Sequence, residues 1–258
     1  MRARATAATA LLLVLGATAC SPGGSDRDDT ADTSEPGPEQ RLTVLAAASL
    51  TETFTELARE LEAEQPGVEV TLAFDSSATL AQQALEGAPA DLLATADTRT
   101  IESAADALAA APEVFATNTL VLVVPAGNPA GIESLDDLAG ATFVTCVETA
   151  PCGASWAALA DQQDVEAEPA SLEVDVKAVL ARVVADEVDA GVVYATDAVA
   201  AGDAVETLDL PGAEQQVTSY ALGLLTQSSQ PGLAQDFADL VLGETGQRVL
   251  TDAGFGPP

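Results

Sequence analysis

The sequence predicts an α/β protein of parallel sheets covered by helices on both sides. Two observations carry this expectation. Short apolar runs of strand length alternate with amphipathic helical stretches, the pattern that buries a parallel sheet under crossover helices. The chain is also 48% hydrophobic and only 19% charged over 258 residues, enough for one large or two modest lobes with buried cores. Aromatic residues make up 3%, so Ala, Val and Leu are expected to form those cores.

Leu42 to Ala47 reads as a buried strand. Ser49 with Glu52 three residues on spells a capping box, and Leu50, Phe54, Leu57, Ala58 and Leu61 recur at helical spacing until Pro66-Gly67. Val68 to Phe74 alternates as a strand, Ser76-Ser77 opens a helix over Ala78 to Glu86 that Gly87 ends, and Asp91 to Thr95 is a third strand. Thr119 to Val124 is a buried strand closed by Pro125-Ala126-Gly127-Asn128. Ser134 with Asp137 starts a short helix ending at Gly140, and Ala141 to Cys146 is a strand. Cys152-Gly153 begins the helix that carries Trp156 and Leu159. Asp175 caps an amphipathic helix with Val176, Val179, Leu180, Val183 and Val184 on one face. Ala190 to Ala195 is a strand ending near Tyr194, Val217 to Leu225 is another, and two helices over about 232–242 and 244–253 complete the chain.

Nine Lys+Arg face 41 Asp+Glu, the formal net charge is −32, and there is no His. Such a chain lacks the clustered cations that nucleic acid or anionic lipid would require. The missing imidazole removes the usual general base for a Ser or Cys nucleophile and the commonest metal ligand. The acidity reads as a solubility device, and it repels anions at long range, so an anion site would have to rest on local dipoles.

Arg2 and Arg4, the apolar stretch Ala5 to Leu15, and Gly16-Ala17-Thr18-Ala19 before Cys20 form a secretory signal too short to span a membrane. The run L-G-A-T-A-C resembles a bacterial lipobox, with Ala17 where Leu is usual, which implies cleavage after residue 19 and lipidation of Cys20. An ordinary cleaved signal peptide is the alternative. Ser21 to Gln40, rich in Ser, Gly, Pro, Asp and Thr, reads as a flexible tether. Cys146 and Cys152 then remain in an oxidising setting where a disulfide is expected. The competing two-thiolate metal site has no third or fourth ligand near it in sequence.

Helices start at Ser49, Ser77, Cys152 and Val176. Each start offers free backbone N–H groups and the positive end of a helix dipole, which together can hold an oxyanion without Lys or Arg. A single capping Ser is usually no more than a cap, so only convergence of these starts would make a site.

Several segments resemble the molybdate-binding proteins of bacterial ABC transporters: T-V-L-A-A-A-S-L-T (43–51), F-D-S-S-A-T-L-A-Q-Q (74–83), G-A-P-A-D-L-L-A-T-A-D (87–97), N-T-L-V-L-V-V-P (118–125), P-C-G (151–153), D-V-K (175–177) and G-V-V-Y-A-T-D-A-V (191–199). They span nearly all of 41–258 in order. The resemblance implies a periplasmic-binding-protein fold of type II, two lobes each with a sheet flanked by helices and joined by a hinge. Lobe one would hold about 41–120 plus 219–258, and lobe two about 121–218.

It further implies a ligand set of Ser49 and Ser77 through hydroxyl and backbone, Cys152 and Val176 through backbone N–H, and Tyr194 through its phenol. The ligand would be molybdate or tungstate, with molybdenum present only as the bound oxyanion and no cofactor. The partners would be a permease and an ATPase, and the chain would act as an anchored monomer outside the cytoplasm. Asp75 departs from the family pattern, in which a small residue is common. Alternation past a core-facing Phe74 is expected to turn its carboxylate outward. Trp156 reads as a packing residue. The rivals are a binder of sulfate or phosphate, a surface sensor or adhesin, and a hydrolase using Ser49 or Cys152. The hydrolase lacks a His partner and a G-x-S-x-G elbow.

Overall fold

The computed structural model describes residues 40–258. The expected signal peptide, Cys20 and nearly all of the expected tether lie outside the described residues. The chain folds as β1 (Gln40–Ala47), α1 (Thr51–Glu64), β2 (Val68–Asp75), α2 (Ser77–Leu85), β3 (Leu92–Thr95), α3 (Thr98–Ser103), β4 (Glu113–Asn118) and β5 (Leu120–Pro125). It continues with β6 (Phe143–Cys146), α4 (Pro151–Gln162), β7 (Ser171–Glu173), α5 (Val176–Val184), β8 (Ala190–Tyr194), α6 (Ala195–Ala201), β9 (Val205–Leu208), β10 (Thr218–Leu224), α7 (Pro231–Leu242) and α8 (Glu244–Asp252). Ser134 and Asp137 form the expected capping box, on a 3-10 helix over Leu135–Gly140.

Two five-stranded sheets result, ordered β2-β1-β3-β10-β4 and β7-β6-β8-β5-β9. The expectation of wholly parallel sheets needs correction, because both are mixed. β1, β2 and β3 are parallel, as are β6, β7 and β8. β10 runs antiparallel to β3 and β4, and β5 runs antiparallel to β8 and β9. The reason is connectivity. β5 and β10 are the strands reached just after the chain passes from one sheet to the other, at Thr119 and over 209–217. They arrive without a crossover helix, so nothing forces them parallel. The two lobes thus repeat one plan, and the α/β two-lobed fold class expected from the sequence is the one observed.

Aliphatic side chains dominate the core, as composition requires. The few aromatics are nevertheless concentrated: Phe54, Phe115, Phe237, Tyr220 and Phe255 form one run of ring contacts at centroid distances of 5.2–6.2 Å. In the other lobe Phe143 meets the buried Trp156 edge-on at 5.9 Å. Asp91, from the G-A-P-A-D segment, is buried and structural. It accepts the N–H groups of Thr43, Ser229 and Gln230 and the Ser228 hydroxyl, tying β1 to the approach of α7. No described helix is long and apolar enough to cross a membrane.

Candidate functional site

The parallel strands of both sheets deliver their carboxyl ends to one place. β1 ends at Ala47, β2 at Asp75, β3 at Thr95 and β8 at Tyr194, and Ala47, Ala48, Ser49, Asp75, Ser76, Ser77, Ala96 and Tyr194 all line a single chamber. The second lobe adds Ala150, Pro151, Cys152, Asp175 and Val176. Ligands in open α/β sheets bind beyond these strand ends. All five residues expected to contact a ligand (Ser49, Ser77, Cys152, Val176 and Tyr194) therefore meet on one chamber. Its volume is about 20 Å3, close to the roughly 10–15 Å3 that one buried water needs, which suits a compact ion.

The local starts differ in detail. Ser77 and Val176 are the first residues of α2 and α5, and Cys152 is the second of α4. Ser49 sits in a 3-10 turn, Ala48–Leu50, that runs into α1. The capping box expected from Ser49 and Glu52 does not form. Ser49 Oγ lies instead 2.8 Å from Tyr220 Oη, while Glu52 reaches Lys177. Ser77 Oγ accepts the Ala96 N–H at 3.0 Å. The first N–H groups of these helices have no intrahelical acceptor, so a ring of donors surrounds the chamber. Gly153 is required where α4 begins, because a Cβ there would overlap the Val147 carbonyl. Cys146 and Cys152, with Cα atoms 5.8 Å apart, are joined as a disulfide that staples the end of β6 to the start of α4.

No Lys or Arg lines the chamber. Tyr194 Oη is buried beside Thr218 and makes no hydrogen bond of full geometry with the described residues. Burial, with the carboxylates of Asp97 and Asp197 adding to it, holds its phenol well above the ordinary range, so it keeps its proton and can only serve as a neutral group. Asp75 is half-buried at the border of the chamber, and its Oδ1 accepts the Ser76 N–H at 2.6 Å. Asp175 caps α5 through the Ala178 N–H at 2.9 Å.

Two further groups escaped the sequence reading. Asn118, Thr196 and Tyr220 form a buried polar cluster behind Ser49. Lys177 Nζ holds Glu52 at 2.8 Å and the buried Asp197 at 3.0 Å, joining α1 to α5 and α6 across the lobes. Burial pulls the Lys177 ammonium down, but the two carboxylates outweigh it and hold the group above the usual lysine value. Burial of Asp197 outweighs the pull of Lys177 and pushes that carboxylate up to about 6. Lys177 and Asp197 sit inside the D-V-K and T-D-A segments, which was the available signal. Glu52 was misread as a cap partner.

Two lobes that border one small chamber at the carboxyl ends of their parallel strands have the architecture of a two-lobed solute-binding protein. A family model for bacterial extracellular solute-binding proteins matches residues 42–256, and the chain belongs to that family. It is 38% identical over 260 residues to the molybdate-binding protein ModA of Mycobacterium tuberculosis (strain H37Rv), covering 98% of this chain and 97% of that one. The family resemblance read from the sequence is thereby borne out. Among solved structures, the periplasmic molybdate-binding protein of Azotobacter vinelandii superposes with a TM-score of 0.75 at 19% identity, over 84% of this chain and 99% of that one. The sulfate-binding protein SubI of Mycobacterium tuberculosis gives 0.72 at 21% identity, over 84% and 87%. These two share the fold, which by itself does not choose between anions. The chain is an extracytoplasmic solute-binding protein rather than an enzyme.

Proposed function

We propose that this chain captures molybdate, and tungstate with it, for an ABC importer. The carrying observation is the convergence of four helix starts and a protonated Tyr194 phenol on one small chamber without cations. A fully deprotonated dianion accepts at every oxygen, so a ring of donors suits it. Charge-assisted hydrogen bonds in a dry site are roughly twice as strong as neutral ones. Ser49 and Ser77 would donate through hydroxyl and backbone, Cys152 and Val176 through backbone N–H, and Tyr194 through its phenol. The name of the 38%-identical relative supports the choice of molybdate. Lobe one (41–120 plus 219–258) and lobe two (121–218) would close on the anion and present it to a permease driven by an ATPase, with no cofactor. Cys20 would anchor the chain in the membrane through lipid, and the folded part would act as a monomer.

Sulfate or phosphate is the second reading, favoured by one observation: Asp75 borders the chamber, and a carboxylate turned into it would accept a hydrogen bond from hydrogen phosphate. Calorimetric titration of the purified chain with molybdate, tungstate, sulfate and phosphate separates the two. Tight one-to-one binding of the first pair alone is expected. Binding of phosphate alone would sink the molybdate assignment.

A further inference from the structure

Ser49 Oγ and Tyr220 Oη are buried and 2.8 Å apart, so one of the two hydroxyls must donate to the other. The amide of Asn118 decides which. Its Oδ1 accepts the Thr119 N–H at 3.0 Å, and this sets the amide orientation. Nδ2 therefore points at Thr196 Oγ1, at 2.8 Å, and at Tyr220 Oη, at 3.4 Å. An NH2 group only donates. Tyr220 Oη thus serves as an acceptor for Asn118, and since its other bonded partner among the described residues is Ser49 Oγ, its one proton goes there. Burial holds the Tyr220 phenol far above its ordinary range, so that proton stays in place. Ser49 Oγ is then occupied as an acceptor, and its own proton is left to point into the chamber that Ser49 lines.

Ser77 shows the same arrangement with a backbone donor: its Oγ accepts the Ala96 N–H, leaving its proton for the chamber. Both serines are held by a fixed donor from behind.

Resting on the reading above, we propose that Tyr220 and Asn118 are positioning residues that lock Ser49 as a hydrogen-bond donor to the bound oxyanion. A free serine hydroxyl rotates and can accept as well as donate. One already committed as an acceptor reaches the anion aligned, with less ordering to lose on binding, and the chain of donors Asn118, Tyr220, Ser49 polarises each bond in it. Asn118 ends β4, where the chain passes to the other sheet, and Thr196 lies on α6 of the second lobe, so the lock spans both lobes.

The test is a double-mutant cycle in the full chain, with molybdate affinity read by calorimetry and folding by circular dichroism. Tyr220→Phe keeps the ring in its contacts with Phe115, Tyr194 and Phe255 and removes only the hydroxyl. It is expected to weaken molybdate binding about tenfold, as for the loss of about 1.4 kcal/mol. In a Ser49→Ala background the same substitution is expected to change affinity less than about twofold, because Tyr220 acts through Ser49. An equal loss in both backgrounds, or none in either, with the wild-type chain binding normally, overturns this inference alone. Failure of the wild-type chain to bind any of the four oxyanions overturns the functional reading and this inference with it.

Discussion

Ser49, Val176 and Tyr194 line the chamber, whereas Glu52, Lys177 and Asp197, a few residues further along the same elements, meet beside it in an ion cluster. The first group presents neutral donors and the second concentrates charge. The chamber's lining holds no Lys or Arg, so the proposed hold on an anion would rest on oriented N–H and O–H groups, which resist screening by salt better than an exposed charge pair. The ion cluster spends the nearby Lys on joining the lobes. Charge here controls which lobe touches which, and dipoles control what is held. A net charge of −32 makes that division necessary, since the long-range field opposes the ligand and only short-range donors can win.

The comparison breaks most severely at Gly153. Gly153→Ala would drive a Cβ into the Val147 carbonyl at the start of α4. We expect a stability loss of about 3 kcal/mol in urea denaturation and loss of molybdate binding; a folded variant with unchanged affinity would show that the α4 start is not part of the donor ring. The ion cluster offers the next largest effect. Asp197 titrates at about 6 in the folded chain against an ordinary 3.8, so the folded state holds that proton more tightly than the unfolded one. Its favourable contribution is therefore present at low pH and is lost as pH rises through about 6. Between about pH 4 and pH 7 the wild type should lose on the order of 2 kcal/mol relative to Asp197→Asn. Parallel pH profiles for the two chains would contradict this.

Within the chamber, Tyr194→Phe removes only the phenol hydroxyl, and a fall in molybdate affinity of about 10- to 30-fold is expected with little change in thermal midpoint. The smallest effect belongs to Glu52→Gln. Its side chain is half exposed, so breaking the pair with Lys177 should cost under about 1 kcal/mol. The accompanying loss of affinity, about threefold, should shrink in high salt; a salt-independent loss would assign Glu52 to the chamber instead.

Much of this was legible. Strand and helix alternation placed the helix starts at Ser77, Cys152 and Val176, and the resemblance supplied the five chamber residues that the structure brings together. Failures occurred where tertiary contacts overrode local pattern. Ser49 spells a cap, yet a tyrosine 171 residues away takes its hydroxyl. Glu52 spells the other half of that cap, yet a lysine from the other lobe takes its carboxylate. The antiparallel β5 and β10 look like any buried strand, since direction depends on the path between lobes and leaves no trace in side-chain period. Tyr220 could have been singled out as one of two tyrosines in a chain poor in aromatics, although only the fold sets it behind Ser49.

The central claim is that neutral donors at converging helix starts hold the oxyanion. Crystallising the chain with molybdate tests it most directly. The account predicts the anion in the chamber, with its oxygens at roughly 2.7–3.1 Å from donors on Ser49, Ser77, Cys152, Val176 and Tyr194. An anion seated elsewhere, or held by Lys177 or an Arg, would contradict it.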